Sequence, residues 1–96
     1  AYFFLFMEAM EQKAISLGFS AEQARKLVQQ TALGAATMVA ENDVSISQLR
    51  ENVTSKGGTT QAALDSFRAD GLPQIVTKAM DCALHRAKEM AQNSNS

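Results

Sequence analysis

The chain opens on an uninterrupted run of aromatic and aliphatic side chains from Tyr2 to Met7. Six consecutive residues of a helix point in every direction around its axis, so a helix here is apolar on all sides. Such a helix must be buried on all sides. A lone domain of 96 residues has only a thin core of its own. The opening run therefore predicts that a second copy of the chain packs on it through a large obligate interface.

The rest of the chain has the apolar spacing of helices, and no stretch alternates apolar and polar residues as a half-buried strand would. Five helices are predicted. Their boundary signals are capping boxes at Ser20 with Gln23 and Ser45 with Gln48, stops at Gly18 and Asp70-Gly71, an N-cap at Thr59 or Thr60, and Pro73 in a first turn. We predict one all-α domain over residues 1–92, followed by a disordered polar tail at 93–96.

Charge and composition exclude several classes of protein. Nine basic residues are interleaved with ten acidic ones, for a net charge of -1, so no basic surface for nucleic acid is expected. The longest apolar run is too short to cross a bilayer, and no membrane association is expected. The single cysteine, Cys82, cannot form an internal disulfide, which suits the cytoplasm. No His, Cys and carboxylate residues have metal-ligand spacing. The apolar start without an initiator Met suggests a piece of a longer protein.

The second predicted helix contains a stretch of small side chains, Thr31–Ala36, with Gly34 at its centre. Glycine inside a helix costs about 1 kcal/mol relative to alanine. We therefore predict that another helix approaches closely at Gly34.

The segment Val53–Thr60, with the sequence VTSKGGTT, has the strongest potential for chemistry. Two glycines let a backbone come close to a ligand, and the N–H groups at the start of a helix attract anions such as carboxylates. On physical grounds alone, an ordinary turn and helix cap is the more common explanation. A P-loop is excluded, because the Gly four residues before Gly-Lys and the Ser or Thr after the Lys are both missing.

The same segment resembles the signature of pyrroline-5-carboxylate reductases, Val-(Thr/Cys/Ser)-Ser-Pro-Gly-Gly-(Thr/Ala)-Thr. Lys56 stands where the family usually has Pro, which would stiffen the loop. The resemblance covers nearly the whole chain. Its other matching segments are Ala1-Tyr2, Glu8-Ala9-Met10, Gln30-Thr31, Leu33–Ala36, Gln48-Leu49-Arg50, Asn52-Val53, and Gly71 with Pro73.

The resemblance implies the C-terminal domain of an oxidoreductase that reduces 1-pyrroline-5-carboxylate to L-proline with NADPH or NADH. The implied fold is a five-helix domain like the C-terminal domain of 6-phosphogluconate dehydrogenase. It interlocks into a homodimer, which can assemble further into an oligomer of dimers. The cofactor belongs to a Rossmann domain that precedes this region and is absent here, so this piece alone is expected to bind no dinucleotide and to be inactive.

The resemblance also implies a substrate site in the glycine loop. Ser55, Gly57, Gly58, Thr59 and Thr60 are expected to bind the substrate carboxylate, chiefly through backbone N–H groups. The Thr60 hydroxyl is the expected catalytic group, which donates a hydrogen bond or a proton to the ring nitrogen.

Two alternatives remain open from the sequence. One is a stand-alone helical interaction module in which the Gly-Gly-Thr-Thr turn is purely structural. The other is a helical domain from a different 6-phosphogluconate-dehydrogenase-like enzyme.

The remaining reactive residues are interpreted as structural: His85 pairs with Asp81 on a helix surface, and Cys82 is a small filler. Asp43 falls near a position that faces the substrate region in relatives.

Overall fold

The computed structural model describes residues 1–94, and these form five α-helices without a strand. The helices are α1 (Tyr2–Ser16), α2 (Ala21–Glu41), α3 (Ile46–Asn52), α4 (Thr59–Ala69) and α5 (Leu72–Ser94). The predicted all-α fold is confirmed.

Side-chain caps begin α2 and α3 where the sequence predicts them. The Ser20 hydroxyl accepts a hydrogen bond from the Gln23 N–H at 3.1 Å, and the Gln23 side chain accepts one from the Ser20 N–H at 3.0 Å. At α3, the Ser45 hydroxyl accepts from the Gln48 N–H at 3.0 Å. These bonds satisfy amides that would otherwise lack an intrahelical partner.

Two boundaries differ from the sequence prediction. The N-cap of α4 is Gly58, not Thr59 or Thr60, because the chain is still extended at Gly58 and both threonines already lie in the helix. At the other end, α5 continues through Asn93 to Ser94, two residues into the segment predicted as a disordered tail. Polar residues can extend a packed helix by a turn without burying anything. Asn95 and Ser96 lie outside the described residues.

The chain divides into two compact units, and the first covers Ala1–Glu51. Helices α1 and α2 pack together in it as a hairpin, with Gly18 at φ +108° in the connection. Its buried apolar side chains are Ala24, Val28 and Leu49. The aromatic start of α1 stays open, and the side chains of Phe3 and Phe4 are 82% and 74% exposed.

The second unit starts at Asn52 and contains the α4–α5 hairpin. Asp70 and Gly71 form the connection between the two helices, and Gly71 has a φ of +80°. Pro73 lies in the first turn of α5, as predicted. Apolar residues along α5 remain largely open: Val76, Met80, Leu84 and Met90 are all exposed. In the second unit, as in the first, much of the apolar surface is available for contact with another chain.

Candidate functional site

The glycine loop connects α3 to α4 and belongs to the second unit. The Gly58 N–H donates to the Ser55 carbonyl at 3.0 Å, which closes a tight turn over Ser55–Gly58. Gly57, inside that turn, has a φ of +77°. L-residues with a side chain rarely adopt this conformation, so the turn requires a glycine here.

Gly58 is constrained in a different way, because its backbone lies directly against Ser55. A Cβ atom at Gly58 would lie 3.3 Å from both the Cβ and the carbonyl oxygen of Ser55. Contacts this short require one side to move. The two glycines therefore serve two purposes: one permits the turn, and the other permits close packing.

The end of the loop is the N-terminus of α4. The Gly58 carbonyl accepts the first bond of the helix, from the Ala62 N–H at 3.1 Å. The amides of Thr59, Thr60 and Gln61 precede that bond, and no side-chain cap closes this end of α4 within the described chain. The first turn also lacks an acidic residue. Uncapped amides and the positive end of the helix dipole together attract an anion.

All the residues predicted to bind substrate therefore meet at one place: Ser55, Gly57, Gly58, Thr59 and Thr60. Ser55, Thr59 and Thr60 are exposed, so a ligand in solvent can reach them. No hydrogen bond occupies the Thr60 hydroxyl within residues 1–94, which leaves it available to a ligand. The sequence interpretation omitted Gln61. Its amide is at the third position of α4, and the N-cap at Gly58 is the signal that adds it to the set.

His85 on α5 does not make the contact predicted for it. Its Nε2 lies 3.6 Å from Oε1 of Glu89, one turn further along α5, and not against Asp81. Both spacings fit a helix, but Glu89 is the partner that the His85 side chain reaches. The His85 side chain is 78% exposed, so this pair is a surface contact of small energetic value.

Cys82 and Asp43, the other reactive residues singled out in the sequence, lie outside the glycine loop. Cys82 is a free thiol and is exposed, so it does not fill a core position in this chain. Asp43 lies in the connection between α2 and α3, in the other compact unit from the glycine loop. Within the described residues, no group of His, Cys, Asp and Glu side chains is placed to hold a metal ion. Among the helices of residues 1–94, none combines the length and hydropathy that a membrane span requires.

The chain has close relatives of assigned activity. It is 62% identical to pyrroline-5-carboxylate reductase of Vibrio alginolyticus over 94% of this chain and 34% of that protein. It is 55% identical to the enzyme of Pasteurella multocida over 94% of this chain and 33% of that protein. The chain thus spans about a third of the length of these relatives.

Solved structures and a family model indicate the same family as those related sequences. The fold matches a Plasmodium falciparum pyrroline carboxylate reductase with NADP bound, with a TM-score of 0.89 and 32% identity over 93% of this chain and 35% of that one. It also matches a pyrroline-5-carboxylate reductase from Coxiella burnetii, with a TM-score of 0.87 and 45% identity over 92% and 33% of the two chains. The family model "Pyrroline-5-carboxylate reductase dimerisation" matches residues 1–90. The chain therefore belongs to the pyrroline-5-carboxylate reductase dimerisation family.

Proposed function

We propose that this chain is the helical part of a pyrroline-5-carboxylate reductase, an enzyme that reduces 1-pyrroline-5-carboxylate to L-proline in the last step of proline biosynthesis. The family match over residues 1–90 is the observation that carries the proposal. It agrees with the loop geometry, which offers uncapped amides to a carboxylate and a hydroxyl next to them. A cytoplasmic enzyme accords with the free thiol of Cys82.

In this proposal the residues of the glycine loop bind and orient the substrate. Backbone amides from Ser55 to Thr60 hold the carboxylate at the start of α4. The Thr60 hydroxyl then faces the ring nitrogen and supplies or relays the proton that nitrogen gains as the C=N bond is reduced. A hydrogen-bond donor fixed there stabilises the charge that develops on the nitrogen. The catalytic role of Thr60 therefore requires that the bound substrate place its carboxylate on the loop amides and its ring nitrogen against the Thr60 hydroxyl.

NADPH or NADH, when bound, supplies the hydride that adds to the imine carbon. The bound NADP of the Plasmodium falciparum structure supports this choice of cofactor. The 96 residues contain no Gly-rich phosphate fingerprint, so we assign the dinucleotide to a Rossmann domain elsewhere in the parent enzyme. This chain alone is then expected to bind substrate or product weakly and not to turn over.

The active form in this proposal is a homodimer, with further assembly of dimers as a larger form. The family description names dimerisation, and the surface of the chain agrees with it. Many large apolar side chains are exposed in the single chain, and Phe3 and Phe4 are 82% and 74% exposed. The open apolar side chains lie on α1 and α5 in particular, so a second copy would bury a large apolar area.

Titration with L-proline, followed by NMR of backbone amides, tests the substrate site. We expect saturable shifts confined to Ser55–Gln61. Pyrrolidine, which has the ring nitrogen but no carboxylate, is the matched control and should leave those amides unshifted. If L-proline leaves the loop unchanged while the dimer is intact, the alternative of a purely structural interaction module is favoured. Reduction of 1-pyrroline-5-carboxylate by the full-length enzyme is the direct assay of the activity.

A further inference from the structure

Lys56 is an isolated cation inside the glycine loop. It is the only charged residue between Glu51 and Asp65 in the sequence. The Ser55–Gly58 turn includes it directly beside the two residues that shape the site. Its side chain is exposed, and none of the ion pairs among residues 1–94 involves it. Within residues 1–94 the ammonium therefore has no ion-pair partner, and it is carried on the loop itself.

No acidic residue lies beside Lys56 in the loop or in the first turn of α4. The first turn of α4 has no acidic residue and presents uncapped amides, so it carries partial positive charge. Lys56 adds a full positive charge to this end of the helix, with no carboxylate from the loop to offset it. An anion held at the start of α4 is attracted by the helix terminus and by the charge that the loop carries at Lys56.

We propose that Lys56 is a specificity-determining residue that favours carboxylated substrates by electrostatic attraction, without touching the reacting atoms. This inference rests on the proposed function, because it concerns the same loop and the same substrate carboxylate. Lys56 then acts on the encounter and binding of the anion, and not on the proton transfer assigned to Thr60. Its contribution should appear in KM and leave kcat unchanged.

The expected size follows from solvent exposure. An exposed charge a few ångströms from an anion changes its affinity by about two- to fivefold in water, since screening by solvent is strong. The attraction also falls with added salt, because the Debye length shortens from about 10 Å at 0.1 M to about 3 Å at 1 M. A salt dependence that disappears with the charge therefore separates attraction from any mechanical effect of the side chain on the loop.

The test compares Lys56→Gln and Lys56→Arg in the full-length enzyme, with 1-pyrroline-5-carboxylate as substrate at low and high salt. Lys56→Gln should raise KM by about two- to fivefold at low salt, leave kcat unchanged, and match the wild type at about 1 M salt. Lys56→Arg should restore the KM of the wild type. The exposed lysine Lys78 on α5 supplies the matched control, and Lys78→Gln should change KM and its salt dependence little.

The outcomes separate this inference from the proposed function. If the wild-type enzyme reduces 1-pyrroline-5-carboxylate but Lys56→Gln keeps its KM and its salt dependence, the role of Lys56 is refuted and the function stands. A loss of kcat in Lys56→Gln that Lys56→Arg does not restore also refutes it, since that result indicates a mechanical role in the loop. If the wild-type enzyme does not reduce the substrate, the proposed function itself fails.

Discussion

Gly57 and Gly58 are adjacent, but a different physical constraint acts on each of them. At Gly57 the constraint is the backbone conformation, with a φ of +77°. There is open space where a Cβ atom would lie. At Gly58 the backbone is extended, and the constraint is the contact with Ser55. A substitution at either position therefore perturbs the loop by its own route.

Gly57→Ala should destabilise the second unit by about 1–2 kcal/mol, because an L-residue with a Cβ is strained at this φ. Thermal denaturation followed by circular dichroism measures the loss. Gly57→Asn is the matched control, since asparagine tolerates the left-handed region, and it should lose clearly less than the alanine variant. Equal stability of Gly57→Ala and the wild type would mean that the turn has a different conformation.

Thr60→Val in the full-length enzyme should lower kcat by about a hundredfold or more, because the side chain keeps its shape but loses the hydroxyl that we propose serves the ring nitrogen. Thr60→Ser should retain most of the activity. Thr59→Val is the matched control: it removes the neighbouring hydroxyl and keeps the backbone N–H, so its kcat should stay close to the wild type. Steady-state kinetics that gave Thr60→Val and Thr59→Val the same kcat would contradict a catalytic role for Thr60.

At the scale of the helix, local sequence signals specify most boundaries because the interactions behind them are local. A capping box such as that of Ser20 and Gln23 is formed by residues three apart, so it is visible in the sequence. The N-cap of α4 lies one or two residues before the position that its local signals predict. Two threonines are better side-chain caps than a glycine, but the Ser55–Gly58 turn decides where the chain stops being extended.

Helix α2 contains Gly34, which the sequence analysis assigned to a close approach by another helix. Among residues 1–94, an added Cβ at Gly34 would meet no atom within 4 Å outside its own stretch of helix, so no contact in this part of the chain requires a glycine there. The close approach predicted from the small residues of α2 therefore remains a prediction about a helix of the second copy. A surface of small residues gives no information on which helix packs against it.

Gly34→Ala and Gly34→Leu together test that prediction. Both remove the cost of a helical glycine, which is about 1 kcal/mol relative to alanine, so each should raise the stability of α2 itself. If a partner helix approaches closely, Gly34→Leu should nevertheless weaken the dimer, and Gly34→Ala should do so less. Sedimentation equilibrium measures the dissociation constants. Wild-type dimerisation in Gly34→Leu would exclude Gly34 from the interface.

At the scale of the whole molecule, hydrophobic burial is incomplete within one chain. The apolar start of α1 could be recognised in the sequence because six consecutive apolar residues leave a helix no side for water. Within one chain Phe3 and Phe4 at the start of α1 remain exposed, so their burial by a second copy stays a prediction. The partner's position could not be predicted in the same way. Burial is non-directional, and many arrangements cover the same apolar area.

Phe3→Glu therefore tests the need for a second copy most directly. A buried carboxylate in an apolar interface costs several kcal/mol unless it is paired, whereas on an open helix surface the same change is nearly neutral. If α1 is covered by another chain, Phe3→Glu should raise the dimer dissociation constant by at least about a hundredfold, measured by analytical ultracentrifugation. Gln92→Glu, which adds the same charge at an exposed polar position near the end of α5, should leave it nearly unchanged. A wild-type chain that is monomeric and folded at high dilution would contradict the prediction, because the rings at the start of α1 would then be stable in water.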